Sequence, residues 1–123
     1  MTQEEKDLLL KDLCARLPYG VKFKADNEEC IREIHYIKDE NVYIREYRNL
    51  SYWVDTIKPY LRPMSSMTEE EWKEYRDIIC CFVENCEAWN EVDWLNKHHF
   101  DYSGLIEKGL AIEVTEENNP YKD

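Results

Sequence analysis

The most constraining feature of the sequence is the start of a helix at Thr68, in the string SSMTEEEWKEY. Thr68 and Glu71 have the spacing of a capping box, and three successive glutamates lie where the helix dipole favours carboxylates. Apolar side chains then recur every three or four positions, at Trp72, Tyr75, Ile79, Phe82, Val83 and Cys86. The pattern predicts a helix over residues 69–87, and capping accounts for the glutamates without a catalytic role.

A second amphipathic helix is predicted near the N-terminus. Thr2 and Glu5 have the same capping-box spacing. Apolar residues follow at helical period at Leu9, Leu10, Leu13, Cys14 and Leu17. Because Pro18 and Gly20 come next, the pattern predicts a helix over residues 3–17.

The region between these helices has the features of a small antiparallel sheet. Residues 21–25 alternate apolar and polar, which predicts a strand. Residues 30–37 fit either a strand or a helix, but their β-branched content and the turn-like residues 38–41 favour a hairpin with 42–47. Residues 52–54 predict a last short strand. Two prolines argue against a regular helix or an inner strand over 58–63.

Short elements are predicted after the long helix. Asn90 and Asp93 have the spacing to cap a helix over 91–98. Asp101 is placed to cap another over 102–108, which Gly109 would end in the left-handed conformation. Residues 110–114 predict a terminal strand or extended arm, and 115–123 a loose polar tail.

Together these elements predict one α+β domain over residues 1–123. An N-terminal helix, one long helix and short C-terminal helices would pack on an antiparallel sheet of three to four strands. The predicted core comprises Leu9, Leu13, Leu17, Val21, Phe23, Val42, Ile44, Ile79, Phe82, Val83, Leu95, Ile106 and Leu110.

Charge and composition exclude several classes of function. The net charge is −11, from 27 acidic and 16 basic residues. A chain this acidic is expected to bind neither nucleic acid nor an anionic membrane directly. The polar N-terminus is unlike a secretory signal, and the longest apolar run, residues 78–83, is too short to span a membrane, so we expect a cytoplasmic protein. The five cysteines lack Cys-x-x-Cys spacing, which predicts reduced, buried thiols and neither a metal nor a cofactor.

The segment DWLNKHHFDY, residues 93–102, is the strongest candidate for chemistry. His98, His99 and Asp101 lie together in sequence, and His35 could join them only through folding. Adjacent histidines on a helix point about 100° apart, and neither has a ligand one turn away. The segment is therefore interpreted as a helix end followed by a helix start. A small metal-dependent or hydrolytic enzyme using these residues stays the alternative.

A protein-binding role is favoured over an enzymatic one. Aromatic residues cluster around the predicted sheet and the proline segment, and such side chains are favoured at protein interfaces. The candidate binding residues are Tyr43, Tyr47, Tyr52, Trp53 and Tyr60. The favoured hypothesis is thus a non-enzymatic interaction or accessory protein with a protein partner. A further alternative is an acidic mimic of DNA, which would carry carboxylates in two rows along one face.

Three blocks carry a resemblance to known sequences: residues 8–20, residues 58–70, and residues 93–102 continuing through 104–110. Together they resemble a group of small uncharacterised proteins of gut Bacteroides and of their phages and mobile elements. The chain departs from that group at Ser103, where an arginine is expected. The resemblance implies a bacterial or phage setting, cytoplasmic location, and helical blocks framing a more variable sheet. It implies no activity.

Overall fold

A computed structural model describes residues 2–26, 28–44, 50–79 and 89–121. Within these ranges the fold has three α-helices and a six-stranded mixed sheet, with strand order β4-β3-β2-β1-β5-β6. The helices are α1 (Gln3–Arg16), α2 (Glu69–Ile79) and α3 (Trp89–Lys97). The strands are β1 (Lys22–Ala25), β2 (Ile31–Lys38), β3 (Asn41–Ile44), β4 (Ser51–Trp53), β5 (Ile57–Leu61) and β6 (Ile112–Glu113). The predicted α+β class is confirmed, while the sheet is larger than the three to four strands predicted.

The hairpin between β2 and β3 resolves the ambiguity over residues 30–37 in favour of a strand. Its turn places Asp39 and Glu40 in the left-handed region, at φ 51° and 65°. Two such residues form the mirror-image turn that matches the twist of a two-residue hairpin. The ladder then runs from Lys38 opposite Asn41 to Ile34 opposite Ile44, with an irregularity at His35.

The prediction that residues 58–63 could not be an inner strand is wrong. β5 lies between β1, which is antiparallel to it, and β6, which is parallel. Pro59 is tolerated because β6 pairs only with Tyr60 and Leu61, so no strand partner needs the missing N–H group of the proline. The parallel β6 also makes the sheet mixed, whereas an antiparallel sheet was expected.

Helix α1 lies against the sheet through a stripe that includes charged residues. Its buried residues are Leu9, Asp12, Leu13 and Arg16. The predicted stripe was apolar throughout, so it missed the last turn of the helix, where an ion pair faces inward. Cys14 and Cys30 are exposed, which corrects the expectation of buried thiols for these two cysteines. Cys80, Cys81 and Cys86 lie outside the described residues.

The capping boxes at both predicted helix starts are present. The Thr2 hydroxyl accepts from the Glu5 backbone N–H group at 3.1 Å, and the Glu5 carboxylate accepts from the Thr2 N–H group at 2.9 Å. Thr68 and Glu71 make the same reciprocal pair, at 3.1 and 2.9 Å. Residues 80–87 of the predicted long helix lie outside the described part of the chain.

The C-terminal third differs from prediction in three places. Asn90 is the second residue of α3, so it does not occupy the predicted N-cap position. The helix predicted over 102–108 is wrong: a single turn forms there, because Gly104 has a φ of 75° and interrupts a helical backbone. Gly109 does take the predicted left-handed conformation, at φ 74°. The segment expected to be a loose tail returns to the sheet through Tyr121, whose hydroxyl bonds to Tyr60 and Lys22.

The core lies between α1 and the sheet. Of the predicted core residues, those confirmed as buried are Leu9, Leu13, Val21, Phe23, Val42, Ile44, Leu95 and Leu110. Leu17 and Ile106 are partly buried against it. The side chains of Ile79, Phe82 and Val83 lie outside the described part of the structure. None of the described helices is long and apolar enough to cross a bilayer.

The Asp12–Arg16 pair gives a test of the packing of α1. Both side chains are buried, with Arg16 Nε 2.7 Å from Asp12 Oδ2. Asp12→Ala leaves the guanidinium buried without its counter-charge, so we expect the free energy of unfolding in urea to fall by about 3–5 kcal/mol. Asp7→Ala, on the exposed side of the same helix, is the control and should change it by less than about 0.5 kcal/mol. Equal effects of the two substitutions would show that the pair does not act as described.

Candidate functional site

Helix α3 ends at Lys97, and backbone hydrogen bonds from the residues that follow close its last turn. The Phe100 N–H group donates to the Leu95 carbonyl at 2.9 Å, and the His99 N–H group donates to the Asn96 carbonyl at 3.1 Å. His99 has a φ of 63°, so it occupies the left-handed position that glycine usually fills in this motif. The predicted helix end is confirmed, but the last carbonyls are satisfied by the backbone and not by imidazole groups.

The His99 ring lies against the ring of Tyr121. The two ring centroids are 3.5 Å apart and the planes differ by 8°. Burial lowers the pKa of His99 to about 4, and the positive charges of Arg16, His98, Arg62 and Lys22 act in the same direction. The imidazole is therefore neutral near pH 7. Its Nδ1 atom is buried and has no hydrogen-bond partner among the described residues.

His98 points to the other side, towards α2. Its Nδ1 atom lies 3.5 Å from Glu71 Oε2, and its ring centroid is 4.3 Å from that of Trp94. Burial lowers the pKa of His98 in spite of the opposing field of Glu71. The two histidines therefore have different neighbours and form no common site.

Glu71 is held by Arg62, a contact that the sequence did not reveal. Arg62 Nη1 and Nη2 each lie 2.7 Å from one carboxylate oxygen of Glu71. These hydrogen bonds lower the pKa of Glu71 to about 2. The Arg62 guanidinium also lies 4.2 Å from the Phe100 ring centroid. Glu71 thus joins the start of α2 to the end of β5, in addition to its capping role.

Asp101 does not cap a helix, because none forms over residues 102–108, but its carboxylate does bond to nearby backbone N–H groups. Its two carboxylate oxygens accept from the backbone N–H groups of Leu105 and Ile106, at 2.9 and 3.0 Å. The Asp101 N–H group donates to the Arg62 carbonyl at 2.8 Å, and the Arg62 N–H group donates to the His99 carbonyl at 2.7 Å. These two bonds form a single parallel bridge between Phe100 and Arg62, just beyond the end of β5.

The structure does not assemble the catalytic candidates. Each of His98, His99 and Asp101 has its own partners, and His35 is exposed on β2, where its ring packs edge-on against Tyr36. In the described ranges, no group of three or more His, Cys, Asp or Glu side chains is placed to hold a metal ion.

The aromatic candidates divide between the two faces of the sheet. Tyr60 is buried. Tyr52 packs its ring on Phe23 and donates its hydroxyl to Glu28, and burial is the main cause of its raised pKa. Tyr43 and Trp53 lie on the opposite face from α1, because β3 buries the alternate residues Val42 and Ile44. Tyr47 lies outside the described residues.

We call this opposite side of β1–β5 the outer face. Tyr36, which the sequence reasoning missed, pairs with Tyr43 across β2 and β3, and the two rings stack at 4.4 Å. Trp53 pairs with Asn41 and is 59% exposed. The strand assignment alone could have identified Tyr36, because the predicted turn at 38–41 sets it opposite Tyr43.

The outer face also has an unusual charge for this chain. Cross-strand pairing places Lys24 beside Lys58, Lys22 beside Glu33, and Lys38 beside Asn41. The ladder positions of this face therefore carry four lysines and one glutamate, in a chain whose net charge is −11. Acidic residues adjoin its β1 end at Asp26, Glu28 and Glu29, which share a surface depression with Lys24 and Lys58.

No family model, curated protein or solved structure matches the chain.

The neutral state of His99 gives a pH test. With its pKa lowered from 6.5 to about 4, the folded protein takes up this proton only at lower pH than the unfolded chain does. The free energy of unfolding should therefore fall as pH drops from about 6.5 towards 4, by about 3 kcal/mol from this residue. In His99→Asn, which tolerates the left-handed backbone, that part of the loss should disappear from urea unfolding curves recorded across this range. Parallel pH profiles for the two proteins would contradict the assignment.

Proposed function

We propose that the protein is a non-enzymatic protein-binding module and that its binding surface is the outer face of β2–β4. The observation that carries this proposal is the exposure of Tyr36 and Trp53, with the half-buried Tyr43 stacked on Tyr36, on the side of the sheet away from α1. Tyr36 is 41% exposed and Trp53 is 59% exposed.

Large apolar side chains support the choice of this face. The described residues expose six large hydrophobic side chains, and three of them, Ile31, Tyr36 and Trp53, lie on the outer face. The solvated face of an antiparallel sheet is usually polar. A group of exposed aromatic side chains on such a face is typical of a binding surface, because Tyr and Trp contribute large contact areas at small cost in conformational entropy.

The charges of this face suggest what the partner presents. Lys38 and Trp53 lie on either side of Asn41, each paired with it on a neighbouring strand. Lys24 and Lys58 lie on β1 and β5, further along the sheet. We expect a partner with an apolar centre and carboxylates at its rim, because interfaces bring opposite potentials together. The lysines also argue against the acidic DNA mimic for this face, since such a mimic needs rows of carboxylates.

An enzymatic role has less support. The carboxylate of Asp101 is used by two backbone N–H groups, and the ring of His99 is covered by Tyr121. The Nδ1 atom of His98 lies 3.5 Å from Glu71 Oε2, and Trp94 packs against its ring. A reaction at this segment would require these contacts to break first.

Substitution of the exposed rings tests the proposal. Tyr36→Ser and Trp53→Ser should each weaken binding to the partner at least tenfold, because they remove central aromatic contacts. The partner is first isolated by affinity purification from the cells that encode the protein, and its affinity for purified variants is then measured by calorimetry.

The matched control is Trp72→Ser, since Trp72 is 48% exposed but lies on α2. It should leave the affinity unchanged, and all three variants should keep the thermal unfolding midpoint within a few degrees. Sedimentation of the purified protein shows whether the partner is a second copy of the chain. Unchanged affinity in both sheet variants, or an equal loss in Trp72→Ser, would rule out the outer face as the binding surface.

A further inference from the structure

The ladder between β1 and β5 leaves Lys22, the first residue of β1, without a partner residue on β5. Its pairs are Ala25 with Ile57, Lys24 with Lys58, and Phe23 with Pro59. The next pair in this register is Lys22 with Tyr60. In an antiparallel ladder every second pair of opposite residues is joined by two N–H···O=C hydrogen bonds. Because Lys22 and Tyr60 lie two residues along from Lys24 and Lys58, both pairs are of the same type.

The hydroxyl of Tyr121 lies between the backbones of Lys22 and Tyr60, and we call this position the step between Lys22 and Tyr60. It accepts from the Lys22 N–H group at 2.9 Å and donates to the Tyr60 carbonyl at 2.8 Å. The donor and the acceptor that would otherwise pair with each other are thus joined through one phenol. A hydroxyl fits this position because it donates and accepts at once. Burial raises the pKa of Tyr121, so the hydroxyl keeps its proton.

The ring of Tyr121 has equally specific neighbours. One face lies against His99, whose left-handed backbone at the end of α3 sets the direction of its ring. The Lys22 ammonium lies 5.9 Å from the ring centroid, and it donates to the Pro120 carbonyl at 2.9 Å. Two backbone groups, an imidazole face and a cation therefore surround the phenol.

The segment that brings Tyr121 here has few other contacts of this kind. Thr115 and Asn118 bond to each other, and Asn118 donates to the Glu113 carbonyl, so these bonds shape the segment locally. The sequence is polar and predicts no element of its own. The segment starts from β6, where the Val114 N–H group donates to the Leu61 carbonyl, and at its other end Pro120 and Tyr121 bond to the sheet.

We propose that the step between Lys22 and Tyr60, together with His99, is a binding site for a tyrosine side chain, which the chain fills here with its own Tyr121. The site recognises the phenol hydroxyl through the two backbone groups and the ring through the imidazole face. A tyrosine presented by a peptide is then a ligand for the site whenever Tyr121 is absent from it.

The test uses the full-length variant Tyr121→Ala and two probes, N-acetyl-tyrosine amide and N-acetyl-phenylalanine amide. The tyrosine probe should shift the amide resonances of Lys22 and His99 in the variant. The phenylalanine probe should bind roughly tenfold more weakly, because it leaves the N–H and carbonyl groups unpaired. The natural protein, whose site is filled by Tyr121, should bind neither probe at the concentration that saturates the variant.

Three results would overturn the proposal. The first is no binding of either probe to the variant, with the Lys22 amide protected from hydrogen exchange, which would mean that β1 and β5 close directly. The second is equal binding of both probes, which would mean an apolar cavity without recognition of the hydroxyl. The third is equal binding of the tyrosine probe to the natural protein, which would place its binding elsewhere.

A second variant keeps the test decisive if Tyr121→Ala does not fold. Tyr121→Phe retains the ring and removes only the hydroxyl. The Lys22 amide should then exchange with solvent at least tenfold faster than in the natural protein, because its acceptor is lost. Unchanged protection of that amide would contradict the role of the hydroxyl.

Discussion

The hydrogen bonds of the Arg16 guanidinium fix the segment after α3 against the end of α1, and the contacts of the C-terminal part of the fold depend on this. The guanidinium is fully buried, and it bonds to the Asp12 carboxylate at 2.7 and 3.2 Å and to the Phe100 carbonyl at 2.6 Å. It also lies 4.9 Å from the Tyr102 ring centroid. A buried charge requires such partners because desolvation is costly. The end of α1 and the segment after α3 are therefore held together, although they lie far apart in the chain.

The bond between Arg16 and Phe100 also affects which neighbours the two histidine rings contact. With Phe100 fixed by Arg16 and the neighbouring backbone paired with Arg62, His98 and His99 are directed to opposite sides. One ring faces Glu71 and the other faces Tyr121. The segment connects three parts of the fold, and its unusual composition follows from those contacts. Lys22 is the residue of the outer face that meets this segment, through Pro120 and the Tyr121 ring, while Tyr36 and Trp53 at the β2–β4 end stay exposed.

Local chemistry made much of the fold predictable, and long-range contacts account for most of what was missed. Both capping boxes and the left-handed Gly109 follow from spacing alone. The inner position of β5 depends instead on where β6 begins to pair, which no property of Pro59 reveals. In the candidate site, bonding of Asp101 to backbone N–H groups shortly after it was expected because such partners are close in sequence, although the helix it was predicted to cap does not form. Arg62 and Tyr121 were missed because their partners lie further away in the sequence. Arg16 was missed because its burial depends on Phe100 and Tyr102, far along the chain, although Asp12 is only one turn away.

We propose that a protein partner binds the outer face of β2–β4 and that the histidine segment serves to hold parts of the fold together. Hydrogen–deuterium exchange of the protein, alone and bound to its purified partner, tests both parts at once. The account predicts slower exchange on binding in β2, β3 and β4, and no change over residues 94–102. Protection over residues 94–102 without protection of these strands would contradict it.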